Sequence, residues 1–362
     1  MKKKLLFTAY SLDIGGIETA LINLLKQLDY KKYDVTLILE KKEGIFLSEV
    51  PKQVEVLEYK ISNSKIVPLR KIYNRSKLIK WSNKIKNKYD FACCYATYSR
   101  PGAKLALAAS SNSALWVHNN YHIIYPDDSD LKTFFDGVEA NRFKHIVFVS
   151  NESKKEVCKH YCCLKDKSIV CNNIINGKKI IDLAKEKIDD FEHEVPTFIN
   201  VGRHDEGQKR LSRIIEASKK LSDKGYEFKV LFVGEGPDTN KYKEMVEDYN
   251  LEGKITFLGK KKNPYPYYKA ADAVLLSSEY EGYPVVFIES MIMNKPILST
   301  TVSDYEPLVN KYGVFCKKNA NDIYYMMRDY LDKGFKIKKP FDYDEYNNDI
   351  MEKLDNIINE VK

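Results

Sequence analysis

The sequence predicts an α/β protein made of two domains in tandem, each with a parallel sheet covered by helices. Three observations carry this. The chain has 362 residues, enough for two ordinary domains. Short apolar runs that read as buried strands alternate with segments whose apolar residues recur at helical spacing. The alternation begins twice, once at Lys4 and again near Pro196, and the stretch 176–194 between the two series is polar and charged, as an inter-domain connection would be. Alternation of this kind implies right-handed βαβ units.

In the first series, residues 4–10 read as a strand and 18–28 as a helix with Leu21, Leu24, Leu25 and Leu28 on one face. Residues 35–39, 54–57, 91–95, 114–117 and 145–149 are further strands. In the second series, 197–201, 230–233, 255–258, 273–276 and 296–300 are strands, with helices at 213–221 and 242–249. Residues 343–362 read as a terminal helix carrying Ile350, Leu354 and Ile358 on one face. No repeat of fixed period is present.

Composition excludes several classes. No apolar run approaches the ~18 to 20 residues needed to span a bilayer. The start, Met1-Lys2-Lys3-Lys4 followed by an apolar run to Leu12, loosely imitates a signal peptide. It lacks a small-residue cleavage site and runs into Asp13, so a first strand and a cytoplasmic protein are expected. The formal net charge of +8 suits an anionic partner without choosing among phospholipid, nucleic acid and phosphorylated substrate. Seven cysteines without a secretion signal imply reduced thiols. Cys158, His160, Cys162 and Cys163 are metal-capable, but no second pair at zinc-site spacing follows, and buried inert thiols near a helix end are expected.

The most informative stretch is 278–291. The apolar run Ala273-Val274-Leu275-Leu276 precedes it, and Gly282 and Pro284 then break the pattern. Pro284 is suited to open a helix at its first position, where no N–H is required. Glu281 therefore falls at the carboxyl end of a strand, and Glu289 on the first turns of the next helix. That edge of an open parallel sheet is where ligands bind. Carboxylates there accept hydrogen bonds from ribose or sugar hydroxyls, and N–H groups at a helix start favour phosphate. A nucleotide sugar fits this chemistry. The plain alternatives are a solvated helix carboxylate for Glu289 and a turn residue for Glu281. Gly234-Glu235-Gly236 lacks the third glycine of a dinucleotide fingerprint, and no P-loop is present.

Three further signals precede this stretch and make four in order with it. Gly202-Arg203-His204, Gln208-Lys209-Arg210, Leu211 and Ile214-Ile215-Glu216-Ala217 resemble the signature of GT-B glycosyltransferases. Val233-Gly234-Glu235-Gly236-Pro237 is similar to the family's next strand and turn. Phe257-Leu258-Gly259 is similar to the strand whose following loop, opening at Lys260, meets the nucleobase. Glu281 and Glu289 resemble the Glu-x7-Glu motif of the retaining glycosyltransferase family 4 (group 1). The resemblance implies that Arg203 and Lys209 stabilise the charge growing on a leaving diphosphate, a task that fixed cations can perform without a metal. It assigns Glu289 to the ribose and Glu281 to the transferred sugar. Backbone groups around Gly282, Tyr283 and Val285, and the turn at Gly234, complete the donor side. Two departures stand out. Arg210 occupies a place where the family often has Gly or Asn, and 301–306 lacks the family's glycine pair.

In the first domain, Gly15-Gly16-Ile17-Glu18 resembles the family's glycine loop, whose backbone approaches phosphate at a helix start. An ordinary βα turn is the alternative. His118, in Trp116-Val117-His118-Asn119, resembles the cleft histidine that meets the donor sugar opposite Glu281, with His122 as competitor. Asn173-Ile174-Ile175-Asn176 resembles the exit from the first domain. The implied domains are 1–180 on the acceptor side and 181–342 on the donor side, with the helix 343–362 returning to the first.

Residues 65–88 contain Lys65, Arg70, Lys71, Arg75, Lys77, Lys80, Lys84, Lys86 and Lys88 without one acid, and apolar residues are interspersed. This is the composition of a helix lying on anionic lipid, with Arg70, Lys71, Arg75 and Lys77 as its patch. The alternative is a solvated face over an ordinary core stripe. The resemblance thus implies GT-B architecture, two Rossmann-like domains facing a central cleft. The expected activity is metal-independent transfer of a sugar, with retention, from a nucleotide-diphosphate donor such as a UDP-sugar. The expected acceptor is a cell-surface glycan or lipid-linked molecule. No cofactor and no nucleic-acid partner are expected, and the protein is placed at the inner face of the cell membrane. A nucleotide-sugar epimerase on the same fold and a non-catalytic membrane- or glycan-binding paralogue are the competing readings.

Overall fold

The computed structural model describes residues 1–13, 15–62 and 66–360. Two open sheets form, and every strand pairing in them is parallel. The first contains β1 (Lys3–Ala9), β2 (Tyr33–Leu39), β3 (Glu55–Glu58), β4 (Phe91–Cys94), β5 (Ser113–Val117), β6 (His145–Phe148) and β7 (Ser168–Val170). Their order is β3-β2-β1-β4-β5-β6-β7. The second contains β8 (Thr197–Val201), β9 (Lys229–Val233), β10 (Ile255–Gly259), β11 (Ala273–Leu276), β12 (Ile297–Thr300) and β13 (Gly313–Cys316), in the order β10-β9-β8-β11-β12-β13.

The central strands β4, β5 and β11 are buried along their whole length, as expected for parallel sheets covered by helices on both faces. This is why they read as unbroken apolar runs. The two strands that the sequence reading does not anticipate, β7 and β13, are both short edge strands. Their apolar runs are too brief to register as periodic, and pairing with a neighbour defines them. Helix boundaries shift by about two residues. The helix expected from Glu18 begins at Gly16, and the one expected from Arg213 begins at Leu211.

Contacts divide the chain into two compact units, residues 1–175 with 345–362, and residues 176–344. The stretch 176–194 is not a free connection. It contains the helix Gly177–Leu183, which packs within the second unit on the helices Tyr265–Ala270 and Val285–Ile292. Gly177 is required there, because a Cβ would lie 2.4 Å from the Tyr343 ring.

The terminal helix Tyr343–Asn359 docks on the first unit; Val361 and Lys362, included in the expected helix, lie outside the described residues. It buries Ile350, Leu354, Ile357 and Ile358. The Asn347 amide donates to the Ile175 carbonyl (2.8 Å) while its oxygen accepts from the Ile175 N–H (3.1 Å). Asn112 in turn donates to the carbonyls of Ile357 (3.3 Å) and Ile358 (3.1 Å) near the helix end. Leu354 is fully buried. Leu354→Ala is expected to destabilise the first unit by about 2 to 5 kcal/mol, the usual cost of truncating a core leucine. Urea unfolding followed by a signal from the first unit's Trp116 measures it.

Candidate functional site

Both sheets reverse their strand order at one point, between β1 and β4 in the first unit and between β8 and β11 in the second. At such a point the loops leaving neighbouring strands diverge and a crevice opens at the carboxyl edge. In the second unit these are the loop after β8, carrying Arg203 and Lys209, and the loop after β11, carrying Glu281. The fold therefore joins segments that are more than seventy positions apart in the sequence.

Lys209 and Glu281 form an ion pair, Nζ to Oε1 2.6 Å, with side chains only 16% and 8% exposed. The same Oε1 accepts from the Ser278 hydroxyl at 2.7 Å, and the other oxygen accepts a long bond from the Gln208 amide (3.4 Å). The two loops are further laced together. The Ser277 hydroxyl is shared between the carbonyls of Lys209 (2.8 Å) and Arg210 (2.9 Å), and the Glu279 N–H donates to the Gln208 carbonyl (2.7 Å). Arg213 reaches the Ser277 carbonyl (3.1 Å) and the Glu279 carboxylate (2.5 Å). Arg210 stands at φ 51° as it opens the helix Leu211–Asp223. That left-handed conformation is the physical reason Gly or Asn suits the position.

Arg203 differs from Lys209. Its side chain is 63% exposed and pairs with Asp205 at 2.7 Å. Gly234 is at φ 144°, and a Cβ there would stand 1.9 Å from the Gly202 carbonyl oxygen. Gly236 would likewise bring a Cβ within 2.2 Å of the His204 oxygen. These glycines let the loops after β8 and β9 touch. The Gly234 N–H donates to the Gly259 carbonyl at 3.0 Å, which draws in the loop after β10, where Lys260 is exposed.

Glu289 lies on the helix Val285–Ile292, which Pro284 precedes as the capping residue and does not enter. Its two oxygens accept from the hydroxyls of Tyr265 and Tyr268, both at 2.9 Å. Burial raises its carboxyl above the usual carboxylate range, and the two hydroxyl bonds oppose that. Each oxygen retains a lone pair for one more donor. The short turn between Glu281 and this helix is held by the Ser303 hydroxyl, which donates to the Gly282 carbonyl at 3.0 Å. Ser303 itself takes φ 54°, a left-handed conformation that glycine would adopt more readily, in the segment 301–306 that lacks the family's glycine pair. Tyr283 and Val285 stand at the entry to this helix, as the sequence placed them.

In the first unit, Gly15 caps the helix Gly16–Gln27 in an extended conformation. Gly16 faces open space on its Cβ side, whereas a Cβ at Gly15 would stand 2.1 Å from the Glu18 carboxylate, a side chain that can move, so neither glycine is forced by its backbone. His118, at the end of β5, is buried. Its Nε2 donates to the Tyr95 carbonyl (3.0 Å), its ring lies 4.7 Å from the Tyr95 ring, and Nδ1 is buried without a partner. Desolvation pulls its pKa down to about 3, so the ring is neutral across ordinary pH. His122 stands apart from it, stacked on His160 with ring centroids 3.6 Å apart.

The helix Val67–Ile85 bears two stripes. Leu78 and Trp81 pack on the core and Ile85 is buried. Leu69, Ile72, Tyr73 and Ile79 face solvent beside Lys71 and Arg75. Arg70 is half-buried, and Lys77 is engaged by the Lys60 carbonyl and the rings of Tyr59 and Tyr73. Lys65 lies outside the described residues. Among the cysteines expected to be buried and inert, Cys158 is buried, but Cys162 and Cys163 are exposed. All seven cysteines are free thiols.

Comparison with known proteins decides what this arrangement belongs to. The family model "Glycosyl transferases group 1" matches residues 183–348, and "Glycosyltransferase Family 4" matches residues 14–178, nearly the whole chain between them. The chain belongs to the group 1, family 4 glycosyltransferases. Its fold is GT-B. The crystal structure of Anabaena Alr3699/HepE in complex with UDP and glucose superposes with a TM-score of 0.74 at 18% identity, over 98% of this chain and 99% of that one. An uncharacterized glycosyltransferase of Methanocaldococcus jannaschii, MJ1059, is 27% identical over 231 residues, 56% of this chain and 55% of its own. A Campylobacter jejuni relative is 26% identical over 130 residues, 36% of this chain and 34% of its own. It is named N-acetylgalactosamine-N,N'-diacetylbacillosaminyl-diphospho-undecaprenol 4-alpha-N-acetylgalactosaminyltransferase. The chain spans about half, or less, of the length of these curated relatives.

Sequence reasoning gave no separate role to Gln208, Ser278, Tyr265, Tyr268 or Ser303, which the fold brings against Glu281, Glu289 and Gly282. Ser278 carried one available signal, a hydroxyl three positions before Glu281 in a turn. The tyrosines carried none, because only the helix packing brings them to Glu289.

The buried neutral His118 has a consequence for stability. Its folded pKa of about 3 lies below the unfolded value near 6.5, so the unfolded chain binds more protons between these limits. The histidine's contribution is therefore fully present above about pH 6.5 and is lost as pH falls toward 3. Within that window it contributes a slope of about 1.4 kcal/mol per pH unit. His118→Gln, neutral at every pH, is expected to flatten that part of the profile in urea unfolding between pH 7 and about pH 4.

Proposed function

We propose that this glycosyltransferase moves a sugar, with retention, from a UDP-sugar to a lipid-linked or cell-surface glycan acceptor, and needs no metal at the diphosphate. One observation carries the reading. The enclosed Lys209–Glu281 pair puts a cation and a hydroxyl-accepting carboxylate side by side at the switch point of the second sheet. Lys209 and Arg203 meet the diphosphate and oppose the charge that grows on it as the glycosidic bond breaks. Donor binding then draws Lys209 toward phosphate, and Glu281 exchanges that partner for sugar hydroxyls while Ser278 holds its orientation. Glu289, steadied by Tyr265 and Tyr268, accepts from the ribose. A UDP- and glucose-bound structure on the same fold supports the donor class, and a relative named for a diphospho-undecaprenol acceptor supports the acceptor class.

The test is a panel of UDP-, GDP- and ADP-sugars scored by thermal stabilisation and slow hydrolysis, with and without chelator. UDP-sugars are expected to stabilise the protein, with turnover unaffected by chelator. Lys209→Ala and Arg203→Ala are expected to lower turnover at saturation more than they weaken donor affinity. A loss confined to affinity makes both simple binding residues. Activity abolished by chelator and restored only by a divalent ion overturns the metal-independent reading.

We further propose that the helix Val67–Ile85 lies on anionic lipid, where the acceptor would be met. No helix among the described residues is long and apolar enough to cross a membrane, so contact would be peripheral. Exposed Leu69, Ile72, Tyr73 and Ile79 provide the inserting stripe, with Lys71 and Arg75 beside it. Replacing Arg70, Lys71, Arg75 and Lys77 by Ser is expected to weaken binding to vesicles containing anionic lipid, at roughly 1 kcal/mol per fully exposed cation. High salt is expected to mimic the change. Equal sedimentation with neutral and anionic vesicles removes the proposal.

A further inference from the structure

Three side chains of the first unit meet although the sequence scatters them. His122 stands on the short helix Tyr121–Ile124, Asp128 begins the helix Asp128–Gly137, and His160 ends the helix Asn151–His160. Each presents a ligand atom, and these atoms lie within 4.8 Å of one another. His160 Nδ1 is 2.9 Å from Asp128 Oδ1, and the two imidazoles stack. A second observation points beyond a hydrogen-bonded stack. His122 Nδ1 is buried with no hydrogen-bond partner. Leaving a buried polar atom unpaired costs about 1 to 3 kcal/mol.

We propose that His122, Asp128 and His160 form a binding site for a divalent transition ion of the zinc class. Two imidazole nitrogens with one carboxylate oxygen are a donor set for Zn²⁺, Co²⁺ or Ni²⁺, whereas Mg²⁺ and Ca²⁺ prefer oxygen throughout. Three protein ligands leave a fourth position for water. Asp128, with 66% of its side chain exposed, leaves the site open to solvent.

For bonds near 2.1 Å, donors on a tetrahedral ion stand roughly 3.4 Å apart. The wider separations, at most 4.8 Å, thus close by up to about 1.4 Å, while His160 and Asp128, at 2.9 Å, open by about 0.5 Å as the stacked rings splay until their lone pairs converge. Asp127 and Asp130 flank the site and add negative charge, while Lys159 beside His160 opposes it. Cys158 is turned to the Ser168 hydroxyl and Cys163 to Asn141, and no thiol joins the cluster of His122, Asp128 and His160 among the described residues. The ion would clasp three helices that follow β5 and β6 and pin the segment that leaves His118. Its role is structural and independent of the diphosphate chemistry assigned to the second unit.

The full chain, stripped of metal, is titrated with Zn²⁺ by calorimetry and with Co²⁺ by visible absorption. Saturable binding of a single ion, a raised thermal midpoint and a four-coordinate Co²⁺ spectrum are expected. His122→Gln, His160→Gln and Asp128→Asn are each expected to weaken Zn²⁺ binding by about a hundredfold or more, since losing even an outer partner of a ligand costs 10- to 100-fold. The Cys162→Ser, Cys163→Ser double variant is expected to bind as the unaltered chain does. No binding by the unaltered chain overturns the proposal. So does binding unchanged in the three variants, or lost in the cysteine variant instead.

Discussion

The carboxyl edge of the second sheet depends on one enclosed ion pair, Lys209 with Glu281. Two such groups lose much of their hydration when they are taken out of water, and their attraction offsets this only with good geometry and further hydrogen bonds. Ser278 and Gln208 provide those bonds. The pair cannot form unless β8 and β11 are neighbours, because each partner stands in the loop that leaves one of these strands. Sheet order thus precedes chemistry here. The reversal of strand order at β8 and β11 opens the crevice, and the ion pair with the lacing around Ser277 keeps its two walls in register.

The same edge shows how close approach is achieved. Gly234 and Gly236 stand where any side chain would strike the backbone of the loop after β8. Those contacts let three successive loops meet through main-chain hydrogen bonds, and the exposed Arg203 is carried on the rim they form. Lys209 and Arg203 are therefore not equivalent. One is enclosed and positioned by Glu281, and the other is mostly in water and tied to Asp205, where screening leaves an ion pair little weight. Glu289 resembles Lys209 in this respect, because two tyrosine hydroxyls hold its carboxyl.

In the first unit the polar residues near the sheet edge fall into two kinds. His118 is fixed, with its ring against Tyr95 and one nitrogen committed to a carbonyl. Packing thus holds it as a neutral group, which suits orienting a partner better than moving a proton. His122 is held in a stack on His160 and faces a carboxylate on a third element. The sequence reading treated these histidines as rivals for one role. Their surroundings instead separate them into a buried strand-end residue and a member of a side-chain cluster.

Much of the fold was determined by sequence alone. Apolar runs such as Ala273–Leu276 and Phe91–Cys94 are unbroken because both faces of a parallel sheet are covered, and that makes the βαβ series legible without coordinates. The ordered signature from Gly202 to Glu289 was legible for the same reason, since each member is tied to a strand end or helix start. What tertiary structure decided lies between elements. The edge strands β7 and β13 exist through pairing. The tyrosines on Glu289 and the meeting of His122, Asp128 and His160 come from helix packing, which leaves no periodic trace along the chain. The thiols beside His160 illustrate the limit: adjacency in sequence suggested one cluster, while the helix end turned His160 toward residues thirty positions upstream. Linear spacing reports neighbours along one element, and only packing selects neighbours across several.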